Sequence, residues 1–245
     1  MADFFNNLLT GLLNALSPVI EIFTVEFWHQ YGPLLAQGAI DTLIMTIIST
    51  VFAYLLGLPL GILLSVTQPH GILPRRGLNR VLGWIVNVGR SLPFIILMVA
   101  IMDFTKLIVG TKIGIRGAIV PLVISAAPFI ARMVETSLAE VDAGVVEAAQ
   151  AMGASPFQII WKVYLPEARP SLLLGGSISI ITILAYTAIA GAVGAGGLGD
   201  LAIRYGYQRR IPSMLLVTVI LIILLVQGIQ TVFSFLSARI DKRLK

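Results

Sequence analysis

The chain has 245 residues, 57% of them hydrophobic and 12% charged, with 17 Lys and Arg against 12 Asp and Glu and no cysteine. An average soluble domain is about one quarter charged, and a soluble core of this size cannot hide so much apolar surface; a soluble enzyme and a disordered chain are therefore excluded, and a mean hydropathy of +0.94 agrees. The pI of 9.7 rests on a net charge of only +5, too dilute for a nucleic-acid surface, and without cysteine there is no disulfide or thiolate metal site.

The composition is that of an all-α integral membrane protein embedded in a lipid bilayer. At the N-terminus, Phe5, Leu8, Leu9, Leu12, Leu13 and Leu16 recur at helical spacing opposite Asn6, Asn7, Thr10 and Asn14, and Pro18 closes the pattern. This is an amphipathic helix, lying in the membrane interface or packed on the other spans through the same stripe. It lacks the basic start and small-residue cleavage site of a secretory signal. Residues 1–35 read as an N-terminal amphipathic extension, 36–240 as the transmembrane domain and 241–245 as a tail.

A crossing helix needs about 20 mostly apolar residues. Five stretches qualify, near 39–66, 91–109, 113–131, 172–193 and 214–236. Continuous apolar runs such as Leu215–Val226 exclude the alternating strands of a β-barrel. Lys and Arg set the orientation. With the C-terminus inside, ten fall on cytoplasmic segments and six outside, the Arg204–Arg210 cluster being the main dissent. The chain thus reads as N-out and C-in.

Pro59, Pro121 and Pro128 lie inside spans, where proline is tolerated, and Gly57-x-x-x-Gly61 permits a close helix crossing, within one subunit or between two. Arg90 faces a bundle interior or, if 81–90 lies at the cytoplasmic interface, snorkels there. Tyr186 and Ile189 mark the fourth span as pathway or gate residues, or Tyr186 as an intramembrane packing contact. His29 and His70 are too isolated for a metal site.

One connection is long and polar. Residues 134–170 hold five of the twelve acidic residues and carry helix punctuation. Asp142 suits an N-cap. Val145, Ala148, Ala149 and Met152 form one apolar face, and Gly153 stands where a left-handed residue ends a helix. Ser155 and Gln158 can close a capping box around Pro156, and Leu165-Pro166 is expected to end that second helix. A loop so thoroughly capped reads as a docking element.

Glu147-Ala148-Ala149, three residues, Gly153, nine residues and then Val163-Tyr164-Leu165-Pro166 resembles the EAA loop of ABC-importer permeases, E-A-A-x3-G-x9-I-x-L-P, departing only at Val163. Arg90–Leu97, Ile119–Leu122, Ala126–Glu135, Ala190–Gly199 and Tyr205–Tyr207 are similar to methionine-importer permeases. The resemblance covers about 36–240 and leaves the N-terminal extension outside. It implies a type I importer fold with five transmembrane helices and a cytoplasmic coupling helix. Val145, Glu147, Ala148, Ala149, Met152 and Gly153 would dock on the ATPase. It also implies a homodimer, two ATP-binding subunits holding ATP and Mg, an extracytoplasmic methionine-binding lipoprotein, L- and D-methionine as substrates, and a bacterial inner-membrane location. A permease for another small amino acid or metabolite is the alternative.

Gly194–Gly199 satisfies G-x-G-x-x-G, but it follows a span where a dinucleotide fold needs a strand; a flexible outer turn at the pathway mouth fits better. The sequence has no G-x-x-x-x-G-K-[ST], so ATP chemistry must come from a partner. The spans carry few acidic residues, with Asp41 at the start of the first, and no repeat is visible, which disfavours an ion-driven secondary transporter. With no nucleophile–base set, the chain reads as a non-enzymatic translocation subunit.

Overall fold

The computed structural model describes residues 17–240, which are largely helical; the amphipathic pattern read over 1–17 lies almost wholly outside them. After a helical turn over 17–22, α1 runs Val25–Val66, started by Thr24, whose hydroxyl accepts the Phe27 N–H at 3.3 Å. Forty-two residues at about 1.5 Å each give roughly 63 Å, twice the hydrocarbon thickness. The helix therefore starts well before the expected span, and the division at 35/36 falls within it. Its early turns pack Phe27 and Leu35 against Leu198, Leu201 and Met214.

The second pass departs from expectation. The 91–109 stretch is not one helix: after α2 (Arg76–Ser91) it forms α3 (Phe94–Ala100) and α4 (Met102–Val109). The chain bends by 100° between α2 and α3. Leu92 is extended (φ −87°, ψ 124°), as the residue before proline must be, and Pro93 offers no N–H to carry a helix through.

The third pass is α5 (Gly114–Ala139). The loop region follows as α6 (Ala143–Ala151), α7 (Pro156–Ile159), a π-turn (Ile160–Tyr164) and α8 (Leu165–Glu167). The fourth pass is α9 (Arg169–Ala192). After α10 (Gly197–Leu201) and a second π-turn (Ala202–Gln208), α11 (Pro212–Ile240) completes the bundle. Leu165-Pro166 does not end a helix as expected. The turn widens one step earlier, the Leu165 N–H reaching back to the Ile160 carbonyl, and the proline is absorbed at the start of α8.

The bundle is centred on α1 and α5, which run parallel. A Cβ on Gly57 or Gly61 would lie 2.8 or 2.5 Å from the carbonyl oxygens of Ala127 and Ala131. The Gly57/Gly61 pair thus serves a crossing within one chain, bringing α1 onto α5 at backbone contact. Antiparallel to α5, α9 pairs Ser171 with Ser137 at one end (3.1 Å) and Gly194 with Gly114 at the other (2.9 Å). Among the described residues four helices are long and apolar enough to cross a membrane, or five spans if the bent α2–α3 pair counts as one.

Candidate functional site

The 134–170 segment folds as its punctuation demands. Asp142 accepts the N–H groups of Gly144 and Val145 at 2.7 and 3.3 Å, capping α6. At the other end Gly153 takes φ +79°. Its N–H bonds the Gln150 carbonyl (2.9 Å) and the Ala154 N–H bonds that of Ala149 (3.1 Å), a Schellman closure. Ser155 and Gln158 exchange bonds of 2.8 and 3.3 Å in the expected capping box. With both ends fixed, α6 keeps a defined orientation.

That orientation divides the predicted residues. Val145, Glu147, Ala148, Met152 and Gly153 face outward, Met152 at 81% exposure. Ala149 does not: it is 5% exposed and joins Val146 and Ile159 in a buried cluster. The apolar face read as Val145, Ala148, Ala149 and Met152 is therefore two faces. Val145, Ala148 and Met152 form the outer stripe, and Val146 and Ala149 the inner. Sequence reasoning missed Phe157 and Trp161, which stand exposed beside α6 in a tilted ring pair 6.0 Å apart; two large aromatics in a polar loop were the available signal. Glu147 borders a cleft of about 230 Å³ shared with Gln68, His70, Gln150 and Tyr164.

The inner face is tied to the bundle. Val141 and Tyr164 touch both the cluster beneath α6 and the main core of α1, α5 and α9. Burial pushes the Tyr164 phenol above its ordinary pKa. Nearby, Glu135 accepts from Gln68 (3.0 Å) and Arg132 (2.5 Å), and Arg132 also donates to Asn87 (2.8 Å), fastening α1, α2 and α5 together.

Of the pathway candidates, Tyr186 is half-buried and stacks on Phe94, centroids 4.7 Å apart and planes 4° from parallel. It borders a cavity of about 150 Å³ with Gly89, Arg90, Leu92, Ser125 and Phe129. Ile189 is not among those residues; it lies one turn on, on the open face of α9 with Ala185 and Ala192. Arg90 is exposed and borders the same cavity as Ser125, which lies near the midpoint of α5.

Residues 57–245 match the family model for the inner membrane component of binding-protein-dependent transport systems. The chain belongs to this family. It is 52% identical over 221 residues to the probable D-methionine transport system permease protein MetI of Vibrio cholerae, a similarity spanning 90% of this chain and 98% of that one. It is 51% identical over 158 residues to the D-methionine permease MetI of Escherichia coli K12, spanning 64% and 73% of the two chains. A solved structure of the MetNI methionine ABC transporter in inward-facing conformations superimposes with TM-score 0.86 at 46% identity, covering 87% of this chain and 99% of that one. An amino acid ABC transporter at 21% identity and TM-score 0.72 shares the fold.

The permease is thus a multi-pass inner-membrane transport protein, and its glycine-rich segment is no nucleotide loop. Nor is it the loose turn expected. Thr42 of α1 accepts the Leu198 N–H at 2.9 Å, and a Cβ on Gly199 would meet the Ala188 carbonyl oxygen at 2.3 Å, so 197–199 is packed tightly against α1 and α9, while Gly194 is exposed. It borders an open cleft of about 620 Å³ carrying Asp41, Arg116, Asp200 and Arg204.

Proposed function

We propose that this permease is the membrane-spanning subunit of an ATP-driven importer of methionine, in both D and L forms, working as a homodimer. Two ATP-binding subunits would supply ATP hydrolysis and hold ATP and Mg, and an extracytoplasmic lipoprotein would deliver methionine. Relatives at 52% and 51% identity carry that transport name, and the match covers nearly the whole chain of the first. The observation that carries the coupling role is the outer stripe of α6. Val145, Ala148 and Met152 are held on a helix capped at both ends and turned away from the bundle; an apolar stripe left uncovered on a fixed helix is what a docking partner covers.

The mechanism follows from the packing. When the ATPase subunits close, each carries its docked α6. Val141 and Tyr164 pass the displacement into α5 and α9, and the bundle switches between two packings as a rigid-body transition. In this reading α6 and the C-terminus lie in the cytoplasm and the N-terminus outside, which the distribution of Lys and Arg supports. The test is copurification: the permease should bring down its ATPase at one-to-one stoichiometry, and Glu147→Arg should break ATP-driven uptake while the chain still inserts. Isolation of the chain as a lone active transporter would sink the reading.

A further inference from the structure

The 150 Å³ cavity gathers three polar groups of three different passes. Arg90 comes from the end of α2, Ser125 from the middle of α5 and Tyr186 from α9. Among the described residues none of the three side chains has a hydrogen-bond, ion-pair or cation–π partner. Ser125 is 7% exposed and Tyr186 half-buried, and polar side chains so enclosed are normally paired; Arg90 is exposed at the cavity rim, where its guanidinium can meet a ligand. The remaining walls are apolar: Leu92, Phe129 and Gly89, with Phe94 stacked behind Tyr186 to fix its ring. No acidic side chain lines the cavity, so it is built to receive an anion, one end on a guanidinium fork and two hydroxyl donors, the other against aromatic and aliphatic carbon.

We propose that Arg90, Ser125 and Tyr186 form a carboxylate-binding station on the translocation pathway, where the α-carboxylate of the transported amino acid rests on Arg90 and its side chain lies against Phe129 and Leu92. This rests on the importer reading. It makes the permease itself a checkpoint for an apolar α-amino acid. Arg90 is a binding residue in this role, and Phe94 a positioning residue acting through the Tyr186 ring.

The chain has no cysteine, so Leu92→Cys places a single thiol on the cavity wall, and Phe129→Cys, in a separate variant, gives a second reporter. In the complex with its ATPase, in phosphatidylcholine vesicles, the modification rate by a small methanethiosulfonate is read from the mass of this chain. L-Methionine should slow modification, and methioninol, which lacks the carboxylate, should not at the same concentration. Adding Arg90→Gln should raise the half-protecting methionine concentration about tenfold or more, as loss of a charge-assisted bond requires, and Arg90→Lys should raise it less. Equal protection by methioninol, or unchanged protection in Arg90→Gln, would overturn the proposal. So would protection that follows added phosphatidylglycerol and ignores methionine, which would assign Arg90 to a lipid phosphate. ATP-driven methionine uptake by the parent complex, measured in the same vesicles, separates the two readings: uptake without protection removes the station and leaves the importer, whereas absence of uptake removes both.

Discussion

Ala149 and Ile159 share one buried cluster beneath α6, while Ala148, the next residue along, faces outward. Two adjacent alanines of one motif therefore do different things: one seats the helix and the other presents it. Ala149→Leu should overpack the closed cluster and cost about 1–3 kcal/mol, loosening the loop. Ala148→Arg should leave stability within about 0.5 kcal/mol and remove ATPase docking. Limited proteolysis of the 140–168 segment and ATPase copurification distinguish the two; identical behaviour would mean that the faces are misassigned.

Gly153 closes α6 at φ +79°, a conformation that costs an L-residue about 1–2 kcal/mol. Gly153→Val should fray the helix end and reduce coupled uptake with little change in membrane insertion, and Gly153→Asn should recover much of the loss, because asparagine tolerates the left-handed region. Uptake per ATP hydrolysed is the readout.

At the α1–α5 crossing a Cβ on Gly61 meets backbone, the Ala131 carbonyl oxygen and the Val134 side chain, and backbone cannot swing aside. Gly61→Leu should separate the two helices and sharply lower the amount of folded chain recovered from membranes, measured by size exclusion in detergent. Gly77→Leu, at a glycine with open space around it, should have little effect.

Much of this was legible in the sequence because it is local. The caps at Asp142, Ser155 and Gly153 depend on residues within a few positions, and the apolar runs of α1, α5, α9 and α11 announce themselves. What was not legible depends on distant partners. Which of Ala148 and Ala149 turns inward is decided by Ile159 and Val141. The second pass was misread because 91–109 was drawn as one continuous span, whereas the extended Leu92 before Pro93 redirects the chain by 100° and the helix breaks again at Ile101. That Arg90 and Ser125 border one cavity could be read only once α2 was laid along α5, and the second half of the loop escaped because a π-turn absorbs Pro166.

The Arg132 guanidinium bridges Glu135 and Asn87, joining α5 to α2 one step above the docking loop. Arg132→Ala leaves the largely buried Glu135 carboxylate with Gln68 alone, and Arg132→Lys cannot hold both partners at once. Both should lower the thermal unfolding midpoint of the complex, Ala more than Lys. Glu135→Gln in the Arg132→Ala background should recover part of the loss, since the unpaired charge is then gone.

The central claim is that this chain carries methionine across the membrane on energy received through α6. The direct measurement is uptake of labelled L-methionine into vesicles holding the permease, its ATPase and the binding lipoprotein. The account predicts uptake that requires ATP and the lipoprotein and is lost in Glu147→Arg while the complex still forms in the membrane. Uptake driven by an ion gradient without ATP, or unchanged uptake in Glu147→Arg, would contradict it.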